Sequence, residues 1–117
     1  MSISPLPQPD VEPRQPEFLR FALPITTTDS LPGVTSVVGI VVGVATRPRD
    51  QAHHPEMAYI NTRARQDALG MMVLQAEEAG AHAVVAVRFD SGKISESVTE
   101  ITAYGTAVTL AASPDWV

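Results

Sequence analysis

Residues Val34–Thr46 read Val-Thr-Ser-Val-Val-Gly-Ile-Val-Val-Gly-Val-Ala-Thr. The run is rich in β-branched residues, which suit a pleated, packed surface. It is apolar almost throughout rather than alternating, so a strand here needs cover on both faces. Split by parity, Val38, Ile40, Val42 and Val44 make a bulky face. Val37, Gly39, Val41, Gly43 and Ala45 make a shallow face with a glycine strip. The bulky face is expected to pack on a helix, and the glycine strip to admit a close approach by something else.

Toward the C-terminus, Arg47–Glu56 reads as a loop, because Pro48 and Pro55 bar a regular element through it. A helix is expected from about Met57 to Ala79, with Ile60, Ala64, Ala68, Met71, Met72 and Ala79 on one face. Val73 and Leu74 fall outside that face and suggest a second contact surface, and Gly80 ends the helix as a C-cap glycine. Ala81–Asp90 is the second strand, Ser91-Gly92-Lys93 opens a hairpin loop, and Ser97–Ala111 is the third long strand. A strand–helix–strand unit makes its two strands parallel, and the hairpin sets the third strand antiparallel to the second. The third strand lies most simply between the other two. The reading is an α+β fold: a β-α-β-β subunit with one main helix on a three-stranded mixed sheet.

One helix covers only one face of such a sheet, so a second copy of the chain is the simplest cover for the other. Val37, Val41, Val84, Val98 and Val108 are the expected interface residues.

Toward the N-terminus, Ile25–Gly33 combines a threonine-rich short strand with turn chemistry at Asp29-Ser30 and Pro32-Gly33. Residues 1–24 hold prolines at 5, 7, 9, 13, 16 and 24 and form a proline-rich tail. Phe18, Leu19, Phe21 and Leu23 are its apolar exception, expected to dock on the domain or to clasp a neighbouring subunit. The whole chain has 117 residues, 44% hydrophobic and 18% charged, which suits one globular domain. A net charge of −5 argues against a nucleic-acid surface. No apolar run approaches the roughly 20 residues of a membrane helix, and no secretory signal opens the chain. The absence of cysteine excludes disulfides and thiolate metal sites and fits the cytoplasm.

Five segments together resemble the YbjQ-like family, bacterial proteins of unknown function labelled as heavy-metal-binding. They are ITTTDSLPG at Ile25–Gly33, GIVVGV at Gly39–Val44, ARQDAL at Ala64–Leu69, AEEAGAHAVVAVRFD at Ala76–Asp90 and AYGTAV at Ala103–Val108. The resemblance implies residues 25–112 as a YbjQ-like α/β domain, between the tail of residues 1–24 and a short tail at 113–117. It also implies assembly into a ring, typically a pentamer. Where the family carries a longer glycine-rich segment, this chain has the short stretch Pro48–Ile60, with Tyr59 as the remnant.

His53, His54 and Glu56 are the one cluster of metal-ligand types and suit a weakly held divalent ion; no organic cofactor is expected. Arg88 and Glu100 share strand parity and are expected to pair, or to hold a small anionic ligand with Tyr104 beside them. His82 reads as a polar strand-end residue. No nucleophile–base pair and no phosphate-binding glycine loop is legible, so no enzyme is expected. The sequence therefore points to a non-catalytic cytoplasmic homo-oligomer that binds a metal ion or small ligand. The alternative is a scaffold that docks a protein partner through its proline-rich tail.

Overall fold

A computed structural model describes residues 21–48 and 57–112, except the side chains of residues 57–59. The elements are β1 (Val34–Pro48), α1 (Met57–Glu78), β2 (Ala83–Lys93) and β3 (Val98–Leu110). β3 lies between β1 and β2 and runs antiparallel to both. β1 and β2 therefore share a direction, as the crossover helix requires, but they never pair. The sheet is antiparallel rather than mixed. The expected short N-terminal strand is reduced to one parallel bridge, Ile25 to Val84. Around that bridge, Thr26 N–H donates to the Val84 carbonyl at 3.0 Å and Val84 N–H to the Pro24 carbonyl at 3.0 Å. Val87 N–H donates to Thr26 at 3.0 Å and Ala86 N–H to Thr28 at 2.7 Å, so this segment covers the first half of the open edge of β2.

The helix sits on the face of β1 opposite to the one its bulk suggests. Val41 is only 3% exposed and belongs to the core under α1, together with Ala64, Ala68, Met72, Val73, Ala76, Val84, Ile101, Ala103 and Ala107. A Cβ on Gly43 would collide with the backbone of Ala68 and Met72. The reason is size matching. Ala64, Ala68 and Ala76 on the helix meet Gly43, Ala103 and Ala107 on the sheet, and small against small lets the two backbones approach closely. The bulky set Val38, Ile40, Val42 and Val44 is left facing outward and exposed. Met71 and Leu74 are also exposed, whereas Val73 is buried.

Two local devices shape the rest. Gly80 has φ +82°, with Ala81 N–H on the Ala76 carbonyl at 3.0 Å and Gly80 N–H on the Glu77 carbonyl at 3.0 Å. This pair of bonds is the Schellman motif that ends α1. Alanine pays strain at that angle, so Gly80→Ala is expected to cost about 1 kcal/mol and to lower the melting temperature in a thermal scan by about 4–8 °C. The second device is a bulge in β2 between Val85 and Arg88, where Ala86 adopts φ +56°. It shifts the strand's parity. Val85 packs on the outer face, Val87 on the helix face, and Arg88 returns to the outer face. The apolar residues of β2 are thereby divided between the two faces of the sheet, Ala83 and Val85 on the outer side and Val87 under α1. β2 also continues through Ser91, Gly92 and Lys93, so the hairpin turn begins only at Ile94.

The tail does not stop short of the domain. Phe21 and Leu23 pack against the main core, with Phe21 beside Gly70 of α1.

Candidate functional site

The outer face of the sheet has a closed end and an open end. At the closed end, Leu31 and Val34 pack over Ala83, Val85, Val108 and Leu110. The loop doing this is tied down by Ala111 N–H, which donates to the Gly33 carbonyl at 2.7 Å, Gly33 itself having φ +89°. Val84 and Val108 are thus buried by the chain's own segments, Val41 is buried under α1, and Val98 is half-buried. Of the five valines expected at an interface, only Val37 is open, at 67% exposure.

The open end is built by register. Val42 stands opposite Tyr104, Ile40 opposite Thr106 and Val44 opposite Thr102. On the other side of β3, Arg88 stands opposite Tyr104. Tyr104 is therefore flanked by a valine and an arginine in one cross-strand row. Ile40 is 78% exposed, and Val37, Val38, Val42, Val44 and Tyr104 are exposed around it. Six large apolar side chains on one strand pair form a single strip rather than scattered surface hydrophobes, and strips of this kind mark interaction sites.

Arg88 and Glu100 do not meet. Glu100 stands opposite Thr46 and Gly92, four positions along β3 from Tyr104, which is about 13 Å at strand rise. Glu100 accepts a bond from the Thr102 hydroxyl at 2.9 Å instead. The Nη1 of Arg88 donates to the Thr27 and Val87 carbonyls, both at 2.9 Å, and its Nη2 lies 3.7 Å from the Asp29 carboxylate. Its work is to tie the Ile25–Gly33 segment to β2. Arg88→Met is expected to cost about 1 kcal/mol, the net worth of such hydrogen bonds. The segment should loosen, read as faster amide exchange at Thr26 and Ala86 with little change at Ile101.

His82 is a strand-end residue. Its Nδ1 accepts the Leu110 N–H at 2.9 Å, and its own N–H donates to the Val108 carbonyl at 2.8 Å. His53, His54 and Glu56 lie outside the described residues. Among the described residues, no three His, Cys, Asp or Glu side chains cluster as metal ligands would. Nor is any helix there long and apolar enough to cross a membrane.

The family model YbjQ_1, described as "Putative heavy-metal-binding", matches residues 54–111. A UPF0145 protein of Saccharolobus islandicus is 39% identical over 102 residues, covering 74% of this chain and 90% of that one. The chain belongs to the YbjQ family. A UPF0145 protein of Sulfurisphaera tokodaii is 36% identical over 104 residues, covering 76% of this chain and 91% of its own. A crystal structure from Pediococcus pentosaceus, a DUF74 protein of unknown function, has the same fold with a TM-score of 0.55. It is 14% identical and covers 76% of this chain and 98% of that one.

Thiolate donors are missing from this member of the family. Thiophilic metals are held by thiolates, and the chain has no cysteine. Of the described methionines on α1, Met72 is wholly buried in the core and Met71 stands alone on the surface.

The strip on β1 was hidden from the sequence by its own hydrophobicity, since Ile40, Val42 and Val44 looked like the helix-facing set. The signal that finds it is the matching of small residues, Gly43 on the strand with Ala68 on the helix, within a helix face that repeats alanine at 64, 68 and 76.

Proposed function

We propose that this YbjQ-family chain is a non-catalytic subunit that self-associates into a closed ring, acting in the cytoplasm. The observation that carries the proposal is the exposed strip of Val37, Val38, Ile40, Val42, Val44 and Tyr104. Full burial of one such side chain is worth roughly 1.5–3 kcal/mol, so several together favour a partner surface over water. The strip lies on one edge strand of an asymmetric sheet. Contact with a different patch on the next copy closes into a ring when the rotation allows. Five copies is the number the family resemblance favours. Sedimentation velocity on the full chain at micromolar concentration tests the reading, with a single closed assembly as the supporting result.

Metal is a lesser part of the proposal. His53 and His54 are the donors for a divalent ion, and without thiolates binding should be weak. Isothermal titration with zinc is expected to give a dissociation constant no tighter than micromolar. The ion should raise the melting temperature only at high concentration, because stabilisation grows with the ratio of ligand to dissociation constant. Tight binding lost on changing both histidines to alanine would refute this. The scaffold alternative, a protein partner held by the proline-rich tail, is separated by deleting residues 1–16, which should leave the ring's mass per copy changed but its copy number intact.

A further inference from the structure

Among the described residues, the edge of β1 away from β3 is unpaired, and with the adjoining flank of α1 it encloses a groove of about 330 Å³, lined by Val42, Gly43, Val44, Met71, Leu74, Gln75 and Glu78. Its apolar wall is Met71 at 51% exposure and Leu74 at 45%, two large side chains that a core does not use. Its other wall is a strand edge. Val42 N–H points into the groove and donates to the Gln75 Oε1 at 2.6 Å. By strand alternation the backbone groups of Ile40 and Val44 turn toward the same open edge. An open strand edge beside apolar side chains fits an extended segment carrying both backbone donors and apolar side chains.

We propose that the groove seats the tail of the same chain, at Glu17–Arg20, extended along the β1 edge with Phe18 against Leu74 and Met71 and Leu19 turned to the opposite face of the segment. Three observations select this occupant. The first is position: Phe21 already lies beside Gly70. Leu74 is one helical turn from Gly70, about 5–6 Å away, and the three residues from Phe21 to Phe18 reach about 10 Å when extended. The second is backbone chemistry. Residues 17–23 are the longest proline-free run between the six prolines of residues 1–24, so this stretch keeps the N–H groups that an edge requires. The third is side-chain chemistry. Phe18 and Leu19 are adjacent large apolar residues in a tail otherwise dominated by proline and polar groups. Seating them covers both the edge and the exposed Met71 and Leu74 without a second molecule, and it does not depend on ring formation.

The chain contains no native cysteine, which makes disulfide trapping clean. In the full chain, Phe18→Cys with Leu74→Cys is oxidised and run on a non-reducing gel with peptide mapping. A bond forms only when the Cα atoms come within about 7 Å. The expected result is a rapid intrachain disulfide. Phe18→Cys paired with Ile94→Cys, at the tip of the β2–β3 hairpin, should form none. Interchain disulfides would overturn the proposal by showing a clasp between copies, and so would equal trapping at both positions. Amide exchange on the unmodified chain removes any doubt about folding of the variants. Of the Phe18 and Leu19 amides, the one that faces the β1 edge should exchange at least tenfold more slowly than those of Val11 and Glu12, and equal rates at all four would overturn the seating.

Discussion

Gly43→Val is expected to prevent folding, and Gly43→Ala to destabilise the domain severely. The site leaves no room, since a Cβ at residue 43 would meet the Ala68 carbonyl oxygen and the Met72 nitrogen. These are backbone atoms held in consecutive turns of α1, so no side-chain rotation relieves the clash. Either the helix lifts from β1, which opens the core around Ala68 and Met72, or β1 bends away from β3. For alanine the cost should reach about 3 kcal/mol or more, the upper end for overpacking. With about 4–8 °C lost per kcal/mol in a domain of this size, the melting temperature should fall by more than about 10 °C. Gly92→Ala is the control. Nothing lies within 4 Å of a Cβ there, and its melting temperature should stay within about 3 °C of the parent, as expected for a neutral surface change. A Gly43→Ala protein that melts like the parent would mean that α1 does not rest on the glycine.

The second large effect separates two neighbouring residues of one strand. Val41 is 3% exposed and Ile40 is 78% exposed. Val41→Asp puts a carboxylate in the core beside Ala68 and Met72, where an unpaired charge costs several kcal/mol. It should abolish soluble, folded protein. Ile40→Asp combined with Val42→Asp leaves the core untouched. Its circular dichroism and melting as a monomer should remain those of a folded α+β chain. Its sedimentation should fall to that of a single 12.5 kDa chain. The sequence pattern suggests Val41 for an interface; the structure buries it under α1 and leaves Ile40 and Val42 on either side exposed. A double variant that still assembles would remove the outer strip from the interface.

The order of elements was legible because its signals are local. The β-branched run at Val34–Thr46, the helix ended by Gly80 and the two later strands each announce themselves within a few residues. The short loops then leave one economical topology, with β3 in the middle. Which face of β1 meets the helix was not legible from hydrophobicity, because both faces of the strand are apolar. The answer lay in a close approach of backbones between elements distant in sequence, Gly43 against the main chain of Ala68 and Met72. The Arg88–Glu100 pairing failed at the hairpin. Ser91-Gly92-Lys93 carries turn chemistry, yet β2 runs on through it to Lys93, so Glu100 falls opposite Gly92 and Arg88 opposite Tyr104. Arg88 and Glu100 do share the outer face, but the guanidinium turns to Thr27 and Asp29.

The mass of the unmodified full chain under native conditions, measured at micromolar concentration, bears most directly on the claim that the open strip of β1 and β3 is a subunit interface. A single closed assembly is expected, at five times the 12.5 kDa of one chain, and it should not grow as concentration rises. A monomer that stays a monomer across that range would leave the strip in water and contradict the account.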